Sequence, residues 1–495
     1  MDRSERKQVV DLLKTIKIAI QHAKLNIGKS QPLIDDSSEA LKSIADFLME
    51  KESDYNLESI LKCREDLKKY SKLDKVNKKR SLISLEKSIE KLIKSTSGVK
   101  KKEKIKALFL PYKASMWTAL ESIWKAADSD PNCEATVVPI PYHELNENME
   151  KTNLCYEGEE YPDYVPIKKF WEYRIQDEKP DMIFIHNPYD DTNTLTRIPD
   201  EYYSRNLKKY TDMLVYSPYN TFFLYNPNEI FPEGKYEVTK YADKIVAQNN
   251  IVKSKYEECE HNKGKILALG SPKIDAIVNI KDNIIPKEWK EKVKNRTVFL
   301  LNTTLTFIVK YKEKAIERIL QVYNEVTKNK NCLLIWRPHP LESAWIKKNI
   351  PGFLESYSRL KKMINECENS IVDESSDYRI AMSISQAMFS TFGSLIHEFM
   401  ATGKPIYIIE NYMNLKVYKY FVDYSWVNYI DKKNLAEFIN DILSGEEDKN
   451  YEKRINAFNN SFINGSTGTC GKEVYNAVKN EVLKKLKGDI IDGTK

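Results

Sequence analysis

The sequence predicts an α/β fold: a pair of doubly wound parallel-sheet domains preceded by an all-α helical extension. Apolar residues recur at helical spacing through about the first 95 positions, without a convincing strand. From Ile105 onward, short apolar runs alternate with helical segments, which is typical of parallel sheets covered by helices on both faces. A polar connection near 279–296 separates two such series. We therefore predict a helical extension over 1–98, a Rossmann-like N-terminal domain over 99–280, and a Rossmann-like C-terminal domain over 281–495 that ends in a helix.

The extension reads as a small bundle or as helical hairpins. Apolar residues lie three or four positions apart within 9–23, 41–48, 57–67 and 82–92. Gly98 and a run of lysines at 100, 101, 102, 104 and 106 then interrupt the pattern, and we place the first boundary there.

Charge is distributed unevenly along the chain, whose net charge is +6. Residues 1–106 hold 26 Lys and Arg against 17 Asp and Glu, a balance of +9, and the remainder carries −3. A basic arm on a near-neutral body suggests an anionic partner such as a membrane surface, with solvated helix faces as the alternative.

Composition excludes several classes of protein. The seven cysteines form no CxxC pattern and no Cys/His cluster, so neither a zinc site nor a disulfide framework is indicated. The sequence contains no apolar run long enough to span a bilayer and no signal-peptide core, so we expect a cytoplasmic protein.

Several apolar runs of the first series end in a Pro-Tyr pair, at 111–112, 141–142, 188–189 and 218–219. Ligands of open α/β sheets bind outside the carboxyl ends of the strands, so these residues are expected to line a cleft. Packing of the loops is the alternative interpretation.

The most informative stretch of the second series is 385–410, which predicts strand, turn, helix and strand. Gly403 is expected to end the helix with φ > 0. The turn offers hydroxyl groups and a glycine, and a carboxylate follows Ser394 one helical turn later. Such a turn is suited to binding a phosphate and the hydroxyl groups of a sugar. An ordinary N-capped helix is the alternative interpretation. These residues are Ser390, Thr391, Gly393, Ser394 and Glu398.

Further polar residues follow other predicted strands. Asn302 and Thr303 end one strand, and Arg337 and His339 end the next, with His339 between two prolines. Arginine is suited to bidentate contact with phosphate, and such a histidine can donate to a phosphate or protonate a leaving group; a structural histidine is the alternative. Lys273 follows the last strand of the first series and is a further phosphate candidate, or an exposed lysine at a helix start.

The segments ALGSPKID, LLNTTLTF, IWRPHP and SQAMFSTFGSLIHEF, in this order and spacing, resemble the CDP-glycerol glycerophosphotransferase family. This family comprises teichoic-acid primases and polymerases with a GT-B fold, and the resemblance covers about residues 105–485. It implies that the C-terminal domain binds the nucleotide, that the acceptor approaches from the N-terminal domain, and that the reaction needs no metal or other cofactor. It also implies nucleotide-diphosphate and ribose contacts for a set of matching residues: Arg337, His339, Ser390, Thr391, Ser394 and Glu398.

The sequence departs from the family pattern in two places. The turn of the second domain reads Thr391-Phe392-Gly393-Ser394, where the family usually has an acidic residue followed by Tyr-Ser-Ser. The presumed base of the family lies in a His-Gly-Thr-Pro turn, whereas the corresponding strand end here, 216–219, reads Tyr-Ser-Pro-Tyr. His186, one strand earlier, is therefore the candidate base, with a buried structural role as the alternative.

We accordingly expect a transferase that moves glycerol phosphate, or a similar polyol phosphate, from a CDP-activated donor to an acceptor hydroxyl in cell-surface polymer synthesis, with release of CMP. The expected acceptor is a polyol phosphate or a glycan lipid. An anionic surface at the inner face of the membrane is a further expected partner, and no nucleic-acid partner is expected. The sequence leaves the oligomeric state open. A GT-B glycosyltransferase that uses a nucleotide sugar, and a catalytically inactive scaffold, are the alternatives.

Overall fold

The computed structural model describes residues 3–50, 56–97, 104–222, 231–280, 285–375, 377–410, 429–430 and 434–491. The chain divides into two compact units. One is formed by Met1–Ile105 together with Lys479–Lys495, and the other by Lys106–Val478. Within the described residues, no helix has both the length and the apolar character that crossing a membrane requires.

The first unit contains four long helices, as the apolar spacing predicts. They are α1 Arg3–Leu25, α2 Gln31–Glu50, α3 Leu57–Lys69 and α4 Lys75–Ser97. Their apolar stripes form one core that includes Leu13, Ile20, Leu41 and Ile89. The hydroxyl of Tyr70 is satisfied inside this core by Ser30, at 2.8 Å. Burial of apolar surface therefore stabilises these helices, and their charged residues are exposed or half-buried, apart from the buried Arg6 of α1.

The second unit begins with a six-stranded sheet in the order β2-β1-β5-β7-β8-β9. A small antiparallel sheet, in the order β4-β3-β6, is formed by strands that lie between β2 and β7 in the chain. The strands are β1 Ile105–Leu110, β2 Cys133–Val137, β3 Tyr142–Leu145, β4 Lys151–Cys155, β5 Met182–Ile185, β6 Thr196–Arg197, β7 Met213–Tyr216, β8 Lys244–Ala247 and β9 Ile266–Ala268. The helices are α5 Thr118–Asp128, α6 Ile175–Glu178, α7 Ser204–Leu207, α8 Glu237–Tyr241, α9 Asn250–Glu257 and α10 Pro272–Val278. Each predicted apolar run of this series forms a strand, and the pairs β1–β5, β5–β7, β7–β8 and β8–β9 of the large sheet are parallel. The small sheet was not predicted, because β4 is mostly exposed and carries little apolar signal.

A second six-stranded sheet, entirely parallel, follows in the order β12-β11-β10-β13-β14-β15. Its strands are β10 Thr297–Asn302, β11 Cys332–Arg337, β12 Ser370–Val372, β13 Ala387–Ser390, β14 Ile406–Ile408 and β15 Tyr429–Ile430. The helices are α11 Lys287–Val293, α12 Leu305–Tyr311, α13 Glu313–Thr327, α14 Glu342–Asn349, α15 Leu354–Glu366, α16 Arg379–Ile384, α17 Ser394–Phe399, α18 Leu435–Ser444 and α19 Tyr451–Ser461. Separate apolar cores form from its alternate residues, so this sheet is covered on both faces. The predicted α/β, GT-B-like pair of parallel-sheet domains behind a helical extension is confirmed.

The terminal helix, α20 Cys470–Ile491, begins against the first sheet domain, although the sequence analysis assigned it to the second. The Asp275 carboxylate in α10 accepts the amide N–H groups of Cys470 at 3.0 Å and Gly471 at 2.7 Å. A Cβ atom at Gly471 would lie 2.2 Å from the Ser122 hydroxyl of α5, so glycine permits this close approach. The carboxylate satisfies N–H groups that the helix itself leaves unpaired, which fixes where the helix starts.

Candidate functional site

The carboxyl ends of three adjacent strands bring predicted site residues side by side. Asn302 at the end of β10 is in register with Arg337 of β11 on one side and with Ser390 of β13 on the other. The residues following these ends are Thr303, Pro338 and Thr391. This edge of the second sheet is therefore where a ligand is expected in a doubly wound domain.

Several of these residues form a buried network instead of an open set of donors. The Asn302 side-chain amide donates to the Ser390 hydroxyl at 3.0 Å, and that hydroxyl donates to the Thr391 carbonyl at 2.8 Å. The Thr391 hydroxyl accepts the Thr304 N–H at 2.9 Å and donates to the Thr304 hydroxyl at 3.1 Å. Because Ser390 and Thr391 are fully buried, the structure argues against the direct phosphate contacts predicted for them. They fix the turn between β13 and α17.

The start of α17 also differs from the predicted anion site. The Phe392 N–H donates to the Glu410 carboxylate at 2.7 Å, so a negative charge already occupies this turn. Ser394 is exposed, whereas Gly393 lies close to Thr304, and the helix ends after six residues at Phe399. Gly403 ends the following 3₁₀ turn with φ +69°, which confirms the predicted stop. Ser394 remains a candidate contact, but the turn is not the strong anion site that its hydroxyls suggested.

Arg337, the last residue of β11, is held in place by several hydrogen bonds. Its guanidinium donates to Asp373 at 2.6 Å and to the hydroxyl and carbonyl of Ser375 at 3.4 and 2.7 Å. These bonds use three of the five N–H groups of an arginine, so two are left without a partner among the described residues. Arg337 is thus preorganised and keeps donors for a ligand.

Lys273, at the start of α10 after the first sheet, contacts residues of the second sheet domain. Its ammonium group bonds the fully buried Glu398 carboxylate of α17 at 2.8 Å. It also lies 5.3 Å from the centre of the Tyr378 ring, and the Arg337 guanidinium lies 5.9 Å from that ring. An aromatic face attracts cations, and Tyr378 contacts one cation from each sheet domain. Tyr378 was missed by the sequence analysis because a lone tyrosine in a polar segment gives no signal.

His339 occupies the turn that follows β11. Its Nδ1 accepts the Leu341 N–H at 3.2 Å, so in the neutral ring the proton is on Nε2. Burial, and then the nearby Arg337 charge, lower the pKa of His339 below its ordinary value. The ring is therefore neutral at pH 7 and offers an N–H group, which suits hydrogen bonding to a phosphate better than proton transfer.

His186 is not placed as a catalytic base. It is fully buried after β5, and its Nε2 accepts the Tyr112 N–H at 2.9 Å. Burial lowers the pKa of His186 to about 3. With Nε2 occupied and the neutral ring's proton on Nδ1, no nitrogen lone pair is available to accept a proton. The structure thus favours the structural role and corrects the expectation of a base.

A buried ionic network joins the two sheet domains, and it was also missed. Arg379 of α16 donates to the Glu121 carboxylate of α5 at 2.6 Å and is held by Asp377 at 2.7 Å. Glu121 also accepts from Lys125 at 2.6 Å and from the Tyr164 hydroxyl. No sequence pattern connects positions 121 and 379, so only the fold reveals this link.

Within the described ranges, no group of three or more His, Cys, Asp or Glu side chains could hold a metal ion. The polar groups at the site are two cations, the neutral His339 and the carboxylates that pair with the cations. Two doubly wound domains with polar and cationic side chains at the strand ends define a GT-B-like fold.

The family model described as CDP-glycerol:poly(glycerophosphate) glycerophosphotransferase matches residues 225–480, more than half of the chain. The chain belongs to this family and is a CDP-glycerol glycerophosphotransferase-like transferase. Comparison with curated protein sequences gives no match.

Two solved structures illustrate the similarity of fold. The wall teichoic acid polymerase TagF shows 15% identity and a TM-score of 0.48, with 87% of this chain and 99% of that chain covered. The UDP-GlcNAc 2-epimerase of Neisseria meningitidis, bound to UDP-GlcNAc, shows 14% identity and a TM-score of 0.45, with 76% of this chain and all of that chain covered. At these values neither structure assigns a function to this chain.

Proposed function

We propose that this protein transfers glycerol phosphate, or a similar polyol phosphate, from a CDP-activated donor to the hydroxyl of a polyol-phosphate or glycan-lipid acceptor, with release of CMP. The observation that carries the proposal is the convergence of Lys273 and Arg337 on Tyr378, at the strand ends of a glycerophosphotransferase-family fold. Two cations with unused N–H groups match the two phosphates of a nucleotide diphosphate ester.

In the proposed step, the acceptor oxygen attacks the β-phosphorus and forms the new P–O bond. The bond from that phosphorus to the bridging oxygen breaks, and CMP leaves with the oxygen and the electron pair. Phosphoryl transfer of this kind passes through a loose transition state that demands mainly positioning and charge stabilisation. A strong base at the position of His186 is then not required, and the acceptor proton passes to water.

His339 acts in this proposal as a neutral hydrogen-bond donor. Its Nε2–H stabilises charge on the phosphate oxygens, while Arg337 two residues earlier binds the same group. A departing phosphate monoester has a second pKa near 6 and leaves as an anion at pH 7, so it needs no proton from the imidazole.

The proposal is tested by measuring nucleotide release, CMP from CDP-glycerol and CDP-ribitol and UDP from UDP-glucose and UDP-N-acetylglucosamine, each with and without acceptor. We expect acceptor-dependent CMP release from a CDP-polyol only, and unchanged rates in EDTA because the charge is met by Lys273 and Arg337. Transfer from a UDP-sugar would identify a glycosyltransferase. Absence of any nucleotide binding by calorimetry would identify a scaffold.

We also infer that the basic arm docks on an anionic membrane surface. Replacing Lys75, Lys79, Arg80 and Lys94 of α4 by glutamate is expected to abolish co-sedimentation with phosphatidylglycerol vesicles, because each basic residue near an anionic surface contributes about 1 kcal/mol. Raised salt should release the wild-type protein, since screening shortens the reach of these charges.

The matched control changes four exposed lysines outside the arm, at 287, 290, 347 and 348, to glutamate. Sedimentation should persist in this control. Equal sedimentation of the arm variant and the wild type would refute the docking hypothesis.

A further inference from the structure

Glu342, the first residue of α14, is a buried carboxylate that faces the turn of His339. One carboxylate oxygen accepts the His339 N–H at 2.9 Å and the Thr303 hydroxyl at 3.2 Å. The other accepts the Tyr357 hydroxyl of α15 at 2.6 Å. Glu342 is fully buried, so three donors from three elements meet one carboxyl group that water does not reach.

The turn depends on this carboxylate because its own backbone offers few other anchors. Pro338 and Pro340 have no N–H, so the His339 N–H is the only backbone donor within 338–340. The next N–H, that of Leu341, donates to the His339 ring itself. Glu342 therefore fixes the backbone, and the bond from Leu341 then fixes the ring.

We propose that Glu342 is a positioning residue for His339 and that its ionised form aims the imidazole Nε2–H at the donor phosphate. This inference rests on the proposed function of His339. The His339 N–H is bonded to a carboxylate oxygen, and a hydrogen bond to an ionised acceptor is about twice as strong as one to a neutral acceptor. Protonation of Glu342 would therefore weaken this bond, and the turn would loosen.

The surroundings place this change within an accessible pH range. Burial raises the pKa of Glu342 to about 7, and the bonds from Tyr357, His339 and Thr303 and the charge of Lys361 lower it. Lys361 of α15 is itself paired with Glu374 at 2.5 Å, and Arg337 of β11 with Asp373 at 2.6 Å. Because the carboxylate form is the active one, kcat is expected to fall as the pH drops through about 7.

The test compares kcat–pH profiles of CMP release for the wild type, Tyr357→Phe and Glu342→Gln. Tyr357→Phe keeps the ring but removes a bond that lowers the pKa of Glu342, so the acid limb should shift to higher pH. Glu342→Gln should lose this limb and reduce kcat about tenfold or more, since small misplacements of a reacting group cost up to about 100-fold. The KM for the donor should change little.

Tyr475→Phe is the matched control, because Tyr475 also donates to a carboxylate, that of Asp130, at 2.7 Å. It should leave the acid limb in place. An acid limb unmoved in Tyr357→Phe would overturn the proposal, even if Glu342→Gln does not fold. Full CMP release by His339→Ala would refute the role of His339 and, with it, the positioning role of Glu342, whereas absence of CMP release by the wild-type protein from every CDP donor would refute the proposed function itself. An inactive His339→Ala beside a wild-type profile in Glu342→Gln would refute only the role of Glu342.

Discussion

Replacing His339 by alanine is expected to lower kcat for CMP release by about 10²–10³-fold, the usual cost of losing one donor to developing charge. The fold should be retained, because the ring is half-buried and its one hydrogen bond within the described residues comes from Leu341, two residues along the chain. Donor affinity should change much less than kcat, since charge on the phosphate oxygens shifts mainly in the transition state. Single-turnover CMP release and calorimetry would measure the two effects separately.

The conservative variant His339→Gln distinguishes a hydrogen-bond donor from a general acid. Glutamine retains an N–H donor and has no titratable proton, so it should recover part of the lost rate. His261→Ala is the control, because His261 is exposed and bonds Thr239 in the first sheet domain. Wild-type CMP release by a folded His339→Ala protein would contradict the mechanism, and absence of any recovery in a folded His339→Gln would favour proton transfer.

Replacing Lys273 by alanine should have the largest combined effect on stability and binding. It removes the ammonium group that bonds the fully buried Glu398 carboxylate at 2.8 Å, and breaking a buried pair typically costs about 3–5 kcal/mol. Part of the gap at Lys273 can admit water, so we expect about 3 kcal/mol in the free energy of unfolding. Denaturant unfolding would measure this loss, and calorimetry with CDP-glycerol should show weakened binding.

The double variant Lys273→Met with Glu398→Gln separates the two effects. Removing both charges while keeping the side-chain volumes should restore most of the stability, because no unpaired charge remains buried. Donor binding should stay weak, since the cation is still absent. Lys347→Met, at an exposed lysine of α14, is the control for loss of one positive charge. Restored donor affinity in the double variant would show that Lys273 only supports the fold.

Periodicity was sufficient to predict the strands that form the two large sheets from β1 to β14, because their central residues are apolar and nearly continuous. It also predicted the helices of the extension and the stop at Gly403. It failed for the small sheet, whose strand β4 lies on the surface. A strand that buries little apolar surface leaves no alternating pattern in the sequence.

The sequence predicted which strand ends carry the polar residues of the site, but it did not predict which groups those residues contact. Asn302, Arg337 and Ser390 were expected near one another, and the parallel register aligns them. The expected open hydroxyls of Ser390 and Thr391 are nevertheless used within the protein. Whether a hydroxyl faces a ligand or a neighbour depends on the packing around it, which the local sequence does not encode.

The sequence by itself determined the succession of helices and strands, the family and the edge of the second sheet where polar groups collect. Only the tertiary structure decided which groups are paired: Lys273 with Glu398, both cations with Tyr378, and His339 with Glu342. It also placed His186 in the interior, where its lone pair is already used. The physical reason is that pattern and turn chemistry act over a few residues, whereas burial and hydrogen-bond partners are set by segments far apart in the chain, such as Lys273 and Glu398, separated by 125 positions.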